Sequence, residues 1–310
     1  LGYALLGRIV ANVSQQSYKD FVAQTLLGPL AMTSSGYDVT AEPQEQRALG
    51  YRWEEGAWQL EPTMAHGAFG AMGGLQTSAN DYAKYVAFLL AAWPARDGAD
   101  SGPVRRSSVR ELAQGANYPT LRDRPGASGD DACPLAATYG MGMGVAVDCE
   151  LGLTLSHGGG YPGYGSHLLI LPEFGIGIFA LANRTYAGPR APVWDAAVAL
   201  LRAGLLVERS AAVGPELAAA YAAVGAMYRA GAVTAAGDVL AMNFLLDRSA
   251  ELWARDLAEL KVESGDCETT SALVPTGVLS GEFTWLCAHG RVKGSVLLSP
   301  TSEPRIQALA

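Results

Sequence analysis

Lysine is scarce in this chain of 310 residues: Lys19, Lys84, Lys261 and Lys293 are its only examples, against 18 arginines. Even with the arginines, 22 basic side chains face 30 acidic ones, for a formal charge of -8. A phosphate-binding surface needs clustered positive charge, so this balance argues against a nucleic-acid partner. No apolar run reaches the roughly 18 residues of an α-helical membrane span. The phosphate loop ending in Gly-Lys-Ser/Thr is missing, and the glycine-dense stretch 67–75 does not fit a dinucleotide fingerprint. A Gly-x-Ser-x-Gly nucleophile elbow is missing as well.

Cysteine is also sparse. Cys133, Cys149, Cys267 and Cys287 form no CxxC motif, so neither a zinc site nor a dithiol redox site is expected, and nothing calls for a metal or a cofactor. They fall into two local pairs, Cys133 with Cys149 and Cys267 with Cys287. Two short-loop disulfides are one reading, each worth about 3 kcal/mol by loop entropy, and they imply an oxidising compartment. Four buried free thiols are the other.

What is present suffices for a core: 49% of residues are hydrophobic and 17% charged. The length suits one large and one small domain, or two. The first residue is Leu1, with no charged stretch leading into an apolar one, so no targeting segment is visible.

Helical spacing dominates residues 2–30. Leu5, Leu6, Ile9, Val10 and Val13 recur at three- and four-residue intervals, Ser17 is placed to cap a second helix, and Gly28-Pro29 stops it. This pair is expected to be a packing element and not a site. Residues 49–53 and 57–60 flank Glu54-Glu55-Gly56 as a hairpin. Thr77 or Ser78 is expected to cap a helix whose apolar side is Tyr82, Tyr85, Val86, Phe88, Leu89 and Leu90. Residues 96–131 look like a surface excursion around one short helix at 107–114, and residues 139–147 return to strand character. Residues 191–207 are helical in spacing. A boundary is expected between 208 and 215, followed by helices at 215–230 and 240–262 and a hairpin of 281–287 with 291–298.

The stretch 151–184 organises the rest. It reads as three consecutive strands, with the turn-rich segment His157-Gly158-Gly159-Gly160-Tyr161-Pro162-Gly163 at the first corner and Pro172-Glu173-Phe174-Gly175 at the second. Glycine permits close approach of a ligand to the backbone, and histidine exchanges protons near neutral pH, so the first corner is site-like. The plainer reading makes it only a flexible turn. His66, His167 and His289 have no partner pattern and are read as surface or hydrogen-bonded structural residues.

Several motifs in order carry a resemblance: Leu1-Gly2-Tyr3-Ala4-Leu5-Leu6-Gly7, Gly28-Pro29-Leu30-Ala31-Met32, Gly73-Gly74-Leu75, Tyr139-Gly140-Met141-Gly142, and His157-Gly158-Gly159 before Tyr161-Pro162-Gly163. Over about residues 1–205 the chain resembles the serine β-lactamase and D,D-peptidase family, in the branch of class C β-lactamases, D-alanyl-D-alanine carboxypeptidases and related esterases. The resemblance implies an α+β fold, an antiparallel sheet flanked by helices with its N-terminal part missing. Residues 1–207 would be the C-terminal portion of a catalytic domain, and residues 212–310 a small α+β accessory domain. It also implies a periplasmic or secreted protein.

The family works by acyl transfer to serine through three boxes: Ser-x-x-Lys, Tyr-x-Asn and Lys/His-x-Gly. By resemblance His157-Gly158-Gly159 is the third box. His157 would line the cleft, and the Gly160 N–H would be half of the oxyanion hole. Gly158, Gly159 and Tyr161 would bind substrate. The residues three before the four lysines are Gln16, Asp81, Ala258 and Gly290, and no asparagine has tyrosine two before it, so the first two boxes and the nucleophile are absent. Leu1 falls where the second box would have just ended, and a truncated chain is therefore expected, inactive alone, with part of its core and the edge of the strand near 175–182 uncovered. The expected partner of the parent enzyme is a small-molecule or peptide substrate: a β-lactam, a D-alanyl peptide or an ester. The alternative is a noncatalytic binding or sensor module that keeps the cleft.

Overall fold

The computed structural model describes residues 1–37, 47–62, 64–96, 98–117, 119–125, 132–209 and 212–310. Contacts divide the chain into two compact units, Leu1–Pro94 with Ala99–Arg209, and Ser210–Ala310 with Ala95–Gly98.

In the first unit the helical spacing near the start becomes α1 (Gly2–Ser14), and the Ser17 hydroxyl accepts the Asp20 N–H at 3.2 Å to start α2 (Tyr18–Val22). The last turn widens into a π-type segment, Ala23–Leu27, before Gly28. α1 packs on α3 (Gly70–Gly73) through Gly7, where an added methyl would lie 2.4 Å from the Ala71 Cβ. Its apolar residues Leu5, Leu6, Ile9 and Val13 are all more than half exposed. The apolar spacing therefore misleads: α1 is used through Gly7 and Tyr3, and its greasy stripe is open. The expected hairpin forms as β1 (Tyr51–Glu54) and β2 (Ala57–Leu60), with Trp53 paired opposite Trp58.

Among the described residues the main sheet is antiparallel with six strands in sequence order: β3 (Thr120–Pro125), β4 (Ala132–Tyr139), β5 (Gly144–Asp148), β6 (Gly152–Tyr161), β7 (Tyr164–Leu171) and β8 (Ile176–Ala182). Each strand pairs with the next, as short connections favour. Two expectations change here. Residues 96–131 are not only an excursion, since beyond α5 (Arg106–Arg110) they supply β3, with 118 and 126–131 outside the described residues. Residues 139–147 have the expected strand character at both ends, in β4 and β5, but 140–143 form the corner between them, where the Gly140 N–H donates to the Met143 carbonyl at 2.8 Å and Gly142 adopts a φ of 84°. β8 is the last strand of the sheet.

Both faces of this sheet are covered, which explains the unbroken apolar run Leu168-Leu169-Ile170-Leu171 in β7. Leu155, Leu168 and Ile170 pack with Val86 and Leu89 of α4 (Ala79–Leu90). Leu151, Leu169 and Leu171 pack with Val193, Trp194 and Ala197 of α6 (Arg190–Arg202). Gly177 admits α4 closely, because a methyl there would meet Val86 Cγ1 at 2.2 Å.

α4 is fixed at its start as the sequence implies: the Ser78 hydroxyl accepts the Asp81 N–H at 3.2 Å. The Asp81 carboxylate, itself buried, accepts the Ser34 N–H at 2.7 Å, the Ser35 hydroxyl at 2.9 Å and the Lys84 ammonium at 2.7 Å. Burial pushes this carboxyl up, but the bonds from Lys84, Ser35 and Ser34 together outweigh it and hold the group below the ordinary carboxylate range.

The second unit has α7 (Pro215–Ala230), α8 (Phe244–Asp247) and α9 (Ala250–Ser264) with a four-stranded sheet ordered β12 (Ile306–Leu309), β11 (Gly290–Leu298), β10 (Ser280–Cys287) and β9 (Val274–Pro275). The expected helix over 240–262 is broken, because Ser249 leaves the helical conformation and caps α9 by accepting the Leu252 N–H at 3.4 Å. Trp285, Phe283, Tyr228, Met227 and Leu217 form its core, and the buried indole N–H of Trp285 donates to the Tyr221 hydroxyl at 2.8 Å. The structure closes both cysteine pairs, Cys133–Cys149 across β4 and β5, and Cys267–Cys287 beside the core of the second unit.

Two outcomes are expected. Replacing Cys267 and Cys287 together by serine should lower the unfolding free energy of the second unit by about 3 kcal/mol in a denaturant titration, from the closed-loop length alone. The second concerns acid. A carboxyl whose folded pKa lies below its unfolded value of about 3.9 stabilises fully above that value and loses its contribution as pH falls through the folded one. Melting temperatures of the first unit should therefore drop below about pH 4, and Asp81→Asn, less stable at neutral pH, should show a shallower drop.

Candidate active site

β6 is longer than its neighbour. Its pairing with β5 ends at Ser156 opposite Gly144, whereas its pairing with β7 continues through His157, Gly158, Gly159 and Gly160 to Tyr161 opposite Tyr164. Residues 157–161 are thus strand, not turn, and the corner is only Pro162-Gly163, with Gly163 at a φ of 89°. The seven-residue corner expected from composition, 157–163, narrows to its last two residues. Among the described residues, the consequence is a strand segment paired on one side only.

All five residues singled out in the sequence lie on this segment, and residues 157–160 are exposed. Alternation along the strand places His157, Gly159 and Tyr161 on the face shared with Leu168 and Ser166, and Gly158 and Gly160 on the face shared with His167 and Gly165. The glycines differ in what they accommodate. A methyl at Gly160 would meet the Tyr186 ring at 2.8 Å and one at Gly159 would meet the Ser166 hydroxyl at 2.2 Å, but at Gly158 it would lie an ordinary 3.5 Å from His167 Nδ1.

The His157 ring makes two contacts. Its Nδ1 is 2.7 Å from the Gly158 carbonyl oxygen and its Nε2 is 3.3 Å from the Tyr139 hydroxyl, which is in turn 3.0 Å from the Tyr3 hydroxyl. Burial, then the hydrogen bond with Tyr3, pushes the Tyr139 phenol up to about 12, so it is a neutral donor at physiological pH. Tyr3 comes from α1 and Tyr139 from the end of β4. Neither was legible as a site residue, since 136 positions separate them and each reads as part of a packing motif.

Behind the strand, His167 is buried, which leaves the structural one of the two sequence readings, and its Nε2 has no partner among the described residues. Burial, with Arg190 and His157 adding to it, holds its pKa below the ordinary histidine value, so it stays neutral. His66 packs edge-on against Tyr37, with ring centroids 4.8 Å apart, and its buried Nδ1 likewise has no partner among the described residues. His289, exposed at the β10–β11 turn, fits its reading.

The far end of the segment is tied down by a second network. Glu61 accepts two hydrogen bonds from Arg52, at 2.8 and 2.9 Å, and one from the Thr185 hydroxyl at 2.7 Å, while the Gly163 N–H donates to Thr185 Oγ1 at 2.8 Å. The bonds from Arg52 and Thr185 hold the Glu61 carboxyl below its usual range. Gly50 lies against Gly163, where a methyl would stand 2.6 Å from the Gly163 Cα. Tyr186 adopts a left-handed φ of 52°, uncommon for a tyrosine, and its N–H points to the carbonyls of Tyr161 and Tyr164 at 3.3 and 3.1 Å. Among the described residues, Cys133, Asp148, Cys149 and Glu150 are grouped closely enough for a cation. The two thiols are spent on each other as a disulfide, so the group is no ligand set.

A strand with one unpaired edge, three glycines and a histidine at its start can hold an extended substrate and exchange a proton with it. The profile of the Beta-lactamase family matches residues 1–203. The chain belongs to the beta-lactamase family. Beta-lactamase-like protein 2 of Dictyostelium discoideum is 33% identical over 92 residues, covering 29% of this chain and 16% of that protein. Protein flp of Staphylococcus aureus (strain N315) is 24% identical over 187 residues, 59% of this chain and 32% of that one. The octameric penicillin-binding protein homologue from Pyrococcus abyssi superposes with a TM-score of 0.51 at 18% identity, over 100% of this chain and 64% of that one. The chain therefore spans a third or less of these two curated relatives, and it has the β-lactamase-like α+β fold, an antiparallel sheet flanked by helices.

Glycine substitutions along the wall should separate by location. Gly165→Ala would place its methyl 1.8 Å from the Ala187 carbonyl oxygen and is expected to cost about 1–3 kcal/mol. Gly158→Ala should leave the melting temperature of the first unit nearly unchanged.

Proposed function

We propose that residues 1–207 supply the sheet-side wall of a serine acyl-transfer site that acts on a β-lactam, a D-alanyl peptide or a small ester, and that residues 212–310 are an accessory domain. The observation that carries this reading is the extension of β6 beyond β5, which among the described residues leaves 157–161 with an unpaired edge beginning at an exposed histidine. In an antiparallel ladder hydrogen-bonded and non-bonded pairs alternate. If Tyr161 and Tyr164 bond each other across their two-residue turn, Gly160 directs its N–H away from β7, toward the open edge. A fixed N–H there is what an oxyanion requires.

In this reading His157 exchanges the proton, Gly160 binds the oxyanion, and Gly158, Gly159 and Tyr161 receive the substrate along the strand. Gly158 supports it from a different direction, because no packing demand accounts for its missing side chain. The serine that forms the acyl-enzyme is outside these 310 residues, which hold no Ser-x-x-Lys. Two disulfides agree with a periplasmic or secreted protein.

A fluorescent penicillin and a fluorophosphonate test the assignment. The 310 residues alone should take no covalent label, whereas the complete open reading frame containing them should be labelled on the serine of an upstream Ser-x-x-Lys. In that complete protein His157→Gln should lower kcat/KM about a hundredfold or more by removing the proton-exchanging group, with an unchanged melting temperature. Label on the 310 residues themselves would place the nucleophile elsewhere, and an unlabelled complete protein without that box would make the cleft a binding or sensor module.

A further inference from the structure

We propose that Tyr139 is a positioning residue that, together with the Gly158 carbonyl, holds His157 in the Nδ1–H tautomer and so presents Nε2 as the proton-accepting atom of the site. The inference rests on the reading of His157 as a working part of that site, and it adds two residues, Tyr139 and Tyr3, that the glycine-rich motif does not contain.

The direction of every bond in this chain of groups follows from its one unambiguous end. The Gly158 carbonyl oxygen, 2.7 Å from Nδ1, can only accept, so Nδ1 carries the proton. In the neutral ring Nε2 then has a lone pair, and the Tyr139 hydroxyl at 3.3 Å must be the donor to it. With its proton committed, the Tyr139 oxygen accepts from the Tyr3 hydroxyl at 3.0 Å.

The placement is built into the fold. Tyr139 closes β4 just before the corner with β5, and Tyr3 reaches over that corner, its hydroxyl 3.4 Å from where a methyl on Gly142 would stand. The three groups also form a proton path. A proton taken up by the Tyr3 oxygen displaces the Tyr3 proton to Tyr139 and the Tyr139 proton to Nε2, ending in two neutral phenols and an imidazolium. No bond to carbon changes and no electron is transferred.

The test reads the tautomer directly, with no substrate and no serine. In the 310-residue chain at a pH above the histidine titration, ¹⁵N-detected imidazole spectra should show His157, assigned by its loss in His157→Gln, with a pyrrole-type Nδ1 and a pyridine-type Nε2. In Tyr139→Phe the two shifts should move toward each other as the tautomers mix, while His167 and His289 keep theirs as controls for the fold. Tyr3→Phe removes only the outer bond and should leave the His157 pattern in place. A wild-type ring protonated on Nε2, or a Tyr139→Phe spectrum identical to wild type, would overturn the proposal. Because the wild-type spectrum alone can do so, a poorly folded variant does not protect it. Failure of the acyl-transfer reading would appear instead as absent labelling of the complete protein, with the tautomer unaffected.

Discussion

The unequal pairing of β6 is the constraint on which the rest of the site depends. Had β5 continued beside it past Gly144, the backbone groups of residues 157–161 would be used up within the sheet, and the histidine at 157 would face a neighbouring strand. Instead β5 stops, the chain turns through Gly140 and Met143, and Tyr139 on the preceding strand stands within hydrogen-bonding distance of His157. One short strand beside a long one thus both opens an edge and brings a phenol to the ring.

Holding that edge in place is the work of packing behind it and at its far end. α6 covers one face and α4 the other, so β7 is apolar on both sides and cannot slip onward by a residue without placing His167 where Leu168 now sits. The hairpin β1–β2 is fastened to the Pro162-Gly163 corner through Glu61 and Thr185, and Gly50 allows the two backbones to meet. The segment is therefore rigid at its corner and open along its edge, the combination a substrate-binding strand needs.

Much of the architecture was legible because it has local causes. Ser17 and Ser78 announced their helices by capping, the Glu55-Gly56 and Pro172-Gly175 turns announced their hairpins, and the period-two alternation of 281–287 announced a strand. Where the reading went astray, the cause was non-local. Glycines at 158–160 suggest a turn in isolation, but pairing with β7 overrides that preference, and Leu168, whose burial anchors the pair, is eleven residues away from His157. In the same way Pro134 is compatible with a strand in β4 because β3 and β5 flank it on both sides.

The sequence by itself determined the ingredients: a His-x-Gly motif, cysteines spaced for local pairing, a net negative charge, and the absence of a Ser-x-x-Lys box. These depend on residue identity and short spacing alone. Tertiary structure decided which edge of the strand stays unpaired, that His167 lies buried behind it, and that Tyr3 and Tyr139 meet at His157. Each of those facts requires segments far apart in the chain to occupy one place, and only the packing of helices on a six-stranded sheet brings them there.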